Sequence, residues 1–117
     1  MRFMMLMIPK GYENAAPGTI PDPKAVAAMM KYNEELQKAG VLLALDGLHP
    51  PAEAARVTFA GGAPKVTDGP FAEAKEIVAG FMILGADDYE GAVAVVKAMP
   101  MMQTPGACVE IREMAAF

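Results

Sequence analysis

The chain predicts an α+β fold of the ferredoxin-like, split βαβ type with an antiparallel sheet, and three observations carry that prediction. Residues 2–8, 41–45 and 77–84 are apolar at nearly every position, the mark of strands covered on both faces. Residues 22–39 and 87–100 carry apolar side chains at helical spacing between capping and breaking signals. A Gly61-Gly62 pair joins two short stretches into a hairpin between the second and third apolar strands. The resulting order is strand, helix, strand, hairpin strands, long strand, helix, strand, which is a sheet backed on one face by two helices.

In the first strand Phe3, Met5 and Met7 fall on one side and Met4, Leu6 and Ile8 on the other. The loop from Pro9 to Pro21 is rich in Gly, Pro and Asn and carries Tyr12, a candidate for the rim of a pocket. Asp22-Pro23 caps and opens the first helix, Ala25, Met29, Tyr32, Leu36 and Ala39 form its apolar stripe, and Gly40 stops it. After the strand Val41–Leu45, the run Asp46-Gly47-Leu48-His49-Pro50-Pro51 makes a rigid loop. Ala55–Phe59 alternates, with Val57 and Phe59 expected toward the core, and Lys65-Val66-Thr67 pairs back on it. Ile77–Leu84 forms the third apolar strand. Asp87 with Glu90 three residues later reads as a capping box for the second helix, whose inward stripe is Ala92, Val93, Val96 and Met99 and whose stop is Pro100. The last strand, Ala107–Met114, places Ala107, Val109 and Ile111 on one face and Cys108, Glu110 and Arg112 on the other.

Size and composition narrow the class. The 117 residues, 54% hydrophobic and 21% charged, fit a single domain over 1–117 with one core. The net charge is −4 and the basic residues are scattered, so neither nucleic acid nor an anionic membrane surface is an expected partner. The apolar opening ends at Pro9-Lys10-Gly11, short of a signal sequence, and no run reaches the roughly 20 apolar residues of a membrane span. Cys108 is the single cysteine, which fits a reducing cytoplasm, and it is expected to be inert packing in a buried strand. One histidine and scattered carboxylates offer no ligand spacing, so no metal and no cofactor are expected. Two helices cover one face of such a sheet, yet three strands are apolar toward both. The cover expected for the second face is another copy of the chain, in a homodimer with sheets packed face to face.

The densest polar chemistry lies in Val66-Thr67-Asp68-Gly69-Pro70-Phe71-Ala72-Glu73-Ala74-Lys75-Glu76. Its Asp68–Glu76 portion resembles the signature of YCII-related proteins that carry the DGPF motif. The resemblance extends to Tyr32-Asn33-Glu34-Glu35-Leu36, Ala39–Leu43, Asp46–Pro50, Ala79-Gly80-Phe81 and Val109–Arg112, and so covers most of the chain. It implies a dimeric α+β barrel of ferredoxin-like subunits, and small-molecule or lyase-type chemistry at a His and Asp pair. In the wider family that histidine lies in or near the first helix, where this chain has Met29, Met30, Lys31 and Tyr32, and the usual tryptophan of the second helix is absent.

The candidate catalytic residues are Asp68 and His49. Asp68 is a carboxylate held by a rigid turn, although the same turn gives it a structural use as an acceptor for neighbouring amides. His49 alone has an unperturbed pKa suited to proton transfer near neutrality, and Asp68 would orient its imidazole if the two approached. Lys75, Glu76, Tyr12 and Arg112 are the candidate ligand-binding residues. The function expected is binding of a small molecule, with general acid/base activity, in a cleft near the Asp68 turn. The alternative is a non-catalytic regulatory or interaction module in which the motif is a folding element.

Overall fold

The computed structural model describes residues 1–18, 20, 22–71 and 77–116. Six strands and two α-helices follow in the expected order: β1 (Arg2–Ile8), α1 (Pro23–Lys38), β2 (Leu42–Gly47), β3 (Ala55–Ala60), β4 (Ala63–Asp68), β5 (Gly80–Gly85), α2 (Tyr89–Lys97) and β6 (Cys108–Glu113). The main sheet has the order β2-β5-β1-β6, and β3 and β4 form a separate two-stranded sheet. Antiparallel pairing of β5 with both β1 and β2 inserts it between the two strands that α1 connects, which is the split βαβ arrangement.

Register decides which side chains meet the helices. Met5 lies opposite Met82 and Ile111, and Phe3 opposite Leu84, so Phe3, Met5, Met82 and Leu84 share one face. They are buried together with Leu36 of α1, Ala92 and Val96 of α2, and Met99. Each fully buried large apolar side chain contributes about 1.5–3 kcal/mol relative to exposure. Tyr32 ties the helices to each other by donating its hydroxyl to the Val95 carbonyl at 2.6 Å. Tyr89 stands edge-on to Phe3 at 4.8 Å between ring centroids, and its hydroxyl accepts from the Glu113 amide at 2.9 Å.

Local signals set the helix ends. The Asp22 carboxylate accepts from the Lys24 amide at 3.0 Å. At the other end of α1, Gly40 adopts φ 76°, its amide reaching Gln37 and that of Val41 reaching Leu36. This paired closure needs the left-handed conformation that glycine adopts without steric cost. The N-cap of α2 is Asp88, accepting from Gly91 at 2.8 Å, and not Asp87. Both aspartates can cap, and the three-residue spacing from Asp88 to Gly91 wins over the box with Glu90.

Three further expectations are corrected. β5 begins at Gly80 and not at Ile77. Cys108 is exposed, because its strand lies at the edge of the sheet and its side of β6 is not the helix side. Val57 and Phe59 are not in the core: they are 68% and 75% exposed, as is Val66 at 67%. Alternation correctly puts Val57 opposite Val66 and Phe59 opposite Pro64 on one face of the hairpin. That hairpin forms a sheet separate from the main one, and among the described residues Val57, Phe59 and Val66 on its face stay open to solvent. A radius of gyration of 16.0 Å, against about 13 Å for a compact chain of this length, agrees with a projecting arm.

The arm is anchored at the motif. Its two-residue turn has positive φ at both Gly61 and Gly62, and its far end passes into Gly69-Pro70, a cis peptide bond. The Gly69 amide donates to the Ala54 carbonyl at 2.7 Å. A Cβ placed on Gly69 would lie 1.8 Å from the Pro51 carbonyl oxygen, so this position has room for hydrogen only. Arg56 of β3 covers the Phe71 ring at 3.9 Å from its centroid. Gly69→Ala is therefore expected to destabilise the fold by about 2–3 kcal/mol, the cost of forced overpacking against backbone, as measured by chemical denaturation.

Candidate functional site

A cavity of about 700 Å³ opens where β1 and β2 end and β5 begins. Met7 and Pro9 come from the end of β1, Leu45 to Pro50 from β2 and its loop, and Ala79 to Met82 from the start of β5. Met29 and Asn33 of α1 and Met101, in the 3-10 turn Pro100–Gln103, complete the wall. The lining is mainly apolar, with Tyr12, Asn33, Asp46 and His49 as its polar residues. This balance and size are those of a small-molecule site.

Its rim is built from backbone bonds as much as from side chains. Leu48 donates to Ala79 at 2.8 Å and Ala79 to Met7 at 2.7 Å, carrying the sheet's connectivity past the last formal strand residues. Tyr12, in the 3-10 turn Tyr12–Asn14, donates its hydroxyl to the Leu48 carbonyl at 2.6 Å and clips the loop after β1 to the loop after β2. Burial, with a smaller push from the Glu53 carboxylate, raises the Tyr12 phenol above its ordinary pKa. Burial and then Glu35 do the same for Tyr32.

His49 projects from this rim with its side chain 87% exposed. Its Nδ1 lies 3.8 Å from Glu53 Oε2, one turn further along in the 3-10 segment Pro51–Glu53. That separation is ion-pair proximity without a hydrogen bond. The carboxylate beside the imidazole is thus Glu53, and Asp68 is not among the residues that line the cavity. Asp68 is exposed at the end of β4, with no side-chain hydrogen bond among the described residues. The motif reaches the cavity through backbone: Gly69 packs on Pro51, two residues after His49.

Of the other expected site residues, Tyr12 lines the cavity. Arg112 does not; it lies on β6 opposite Met4, with its Nε 3.9 Å from Glu110 Oε2. Lys75 and Glu76 lie outside the described residues. Among those described, no three His, Cys, Asp or Glu side chains converge as metal ligands would.

Sequence reasoning missed Asn33, Glu53 and the cavity role of Asp46. Asn33 carried a signal: it follows Met29 by four residues on the inward side of α1, where a polar residue breaks the stripe. Its Oδ1 is buried with no donor among the described residues.

The tyrosines give a direct check on the rim. Both phenols have raised pKa values in the folded state, so the stability they contribute is fully present below the unfolded value near 10 and is lost as pH rises through the folded values. Absorbance titration should show Tyr12 and Tyr32 ionising above pH ~10. The Tyr12→Phe and Tyr32→Phe difference spectra assign each step, and ionisation of either at or below the free-tyrosine value would contradict the geometry.

Comparison with known proteins places the fold. No curated protein matches the chain. Among solved structures it is similar to 5-chloro-2-hydroxyhydroquinone dehydrochlorinase (TftG) from Burkholderia phenoliruptrix, solved in complex with 2,5-dihydroxybenzoquinone. The TM-score is 0.57 at 13% identity, over 98% of this chain and 94% of that one, a likeness of fold. The sequence also matches the YCII-related domain over residues 1–117. The chain belongs to the YCII-related family.

Proposed function

We propose that the protein binds a small molecule in the cavity between α1 and the β1–β2 end of the sheet, and that His49 serves there as a general acid/base. The observation that carries this reading is the cavity itself: about 700 Å³, apolar, with Tyr12, Asn33, Asp46 and His49 as its polar groups. Similarity of fold to a dehydrochlorinase bound to a dihydroxybenzoquinone supports it. In a lyase-type step His49 takes a proton from the ligand, the released electron pair forms the new double bond, and the leaving group departs with its bonding electrons. Glu53 steadies the imidazolium so formed. Asp68, Lys75, Glu76 and Arg112 stand as further candidates, Asp68 for proton transfer and the other three for ligand contact.

The reading includes a single DGPF-type domain, a cytoplasmic setting and a homodimer. Support for the dimer comes from the sheet face away from the helices, which carries Met4, Leu6, Ile8, Phe81 and Ile83 in register. No helix of the described residues is long and apolar enough to cross a membrane. A non-catalytic module, with the motif as a folding element, is the second reading. The contact of Gly69 with Pro51 favours that role for the motif itself.

Two measurements separate these readings. Titration with 2,5-dihydroxybenzoquinone should show binding that His49→Ala weakens roughly tenfold or more, the loss of one charged hydrogen-bonding group, while the melting temperature stays near that of the wild type. Absence of binding, or binding indifferent to His49, favours the module. Asp68→Asn with an intact fold and weakened binding makes Asp68 a site residue, whereas unfolding makes it structural. Light scattering at micromolar concentration is expected to give the mass of two chains, and a monomer removes the dimer.

A further inference from the structure

Among the described residues, Asn33 is the polar residue of the cavity wall with a buried side-chain atom that has no hydrogen-bond partner. Its backbone continues α1, and its side chain stands between Met29 and Leu36 on the inward side of the helix. An aliphatic residue there would extend the apolar stripe. Instead a carboxamide lines the cavity, with Oδ1 buried and without a protein donor among the described residues. A buried acceptor left unpaired lowers stability, so a polar group at this position is a local cost of the kind that binding sites carry.

The rest of the wall describes the ligand body. Met7, Met29, Met82 and Met101 line the cavity together with Leu45. Thioethers are flexible and polarisable and make favourable contacts with aromatic rings, so this wall adapts to a flat ring better than to a polar or highly charged molecule. The terminal torsion of asparagine is soft, so a rotation about it can bring the acceptor from its buried position to the cavity surface.

We infer that the cavity receives an aromatic ring bearing a hydroxyl or amino group, which donates to Asn33 Oδ1 while the methionines hold the ring. This rests on the small-molecule reading above and specifies the ligand that the site selects. Tyr12 and His49 then meet the opposite, outer edge of the ring.

Matched probes test it: hydroquinone, its dimethyl ether 1,4-dimethoxybenzene, which keeps the ring and acceptors but has no donor, and trans-1,4-cyclohexanediol, which keeps the donors without the ring. Ligand-observed NMR titration of the full chain should give hydroquinone the highest affinity, with each of the other two weaker by roughly tenfold, as expected when a buried acceptor stays unpaired or the ring contacts are lost. In Asn33→Leu the advantage of hydroquinone over its ether should vanish. The ligand-free variant should melt a few degrees higher, because the unpaired oxygen is gone. Asn33→Ala supplies the same comparison should leucine overpack the site. Equal binding of hydroquinone and the ether, or an advantage that survives in both variants, overturns the inference and leaves small-molecule binding standing. Equal binding of the cyclohexanediol overturns its aromatic half. Failure of all three probes to bind removes the inference, and if 2,5-dihydroxybenzoquinone also fails, the reading beneath it falls too.

Discussion

The contact of Gly69 with the Pro51 carbonyl organises this molecule more than any single side chain. Through it, and through the Gly69 amide bond to Ala54, the far end of the β3–β4 arm is fastened to the 3-10 turn that follows His49. Remove the hydrogen-only fit at residue 69 and the turn carrying Glu53 loses its backstop. The loop that carries His49 is also held by the Leu48–Ala79 bond and the Tyr12 clip. A motif rich in carboxylates and lysine thus acts on the cavity through its least reactive residue.

The sheet divides its apolar surface unequally. On the helix side, Phe3, Met5, Met82 and Leu84 are essentially removed from water and form the sheet's half of the core. On the other side the same strands carry Met4, Leu6, Phe81 and Ile83, partly covered by one another. The arm adds Val57, Phe59 and Val66 to the uncovered total. A two-stranded hairpin with one apolar face is marginal in water by itself. Its hold on the main body at Gly69 and at the Arg56–Phe71 stack keeps it in place, while its apolar face lies open.

Much of this was readable in the chain, for identifiable reasons. Continuous apolar runs located β1 and β5, and Gly61-Gly62 set the hairpin register because only a turn with positive φ at both residues matches the twist of its strands. Alternation told that Val57 and Phe59 share a face, but period two says nothing about what lies opposite that face, hence their misplacement in the core. His49 and Tyr12 were found because their chemistry is distinctive. Glu53 was not, since its approach to the imidazole depends on the 3-10 turn between them. Asn33 was legible in principle as a break in a stripe, yet a single polar residue in a helix draws no notice until a cavity stands in front of it.

Electrostatics joins binding to chemistry at this site. With its side chain 87% exposed, a protonated His49 would meet Glu53 through a medium close to water, where charges about 4 Å apart are worth roughly 1 kcal/mol. Opposite charges at that separation attract more strongly as the medium between them becomes less polar. In the proposed complex, a ligand that fills the cavity and lies over the rim would displace water from between a protonated imidazole and the carboxylate, and so would strengthen the pair while bound. On the reading proposed above, proton transfer by His49 calls for a ligand large enough to fill the methionine-lined interior and reach the rim at once.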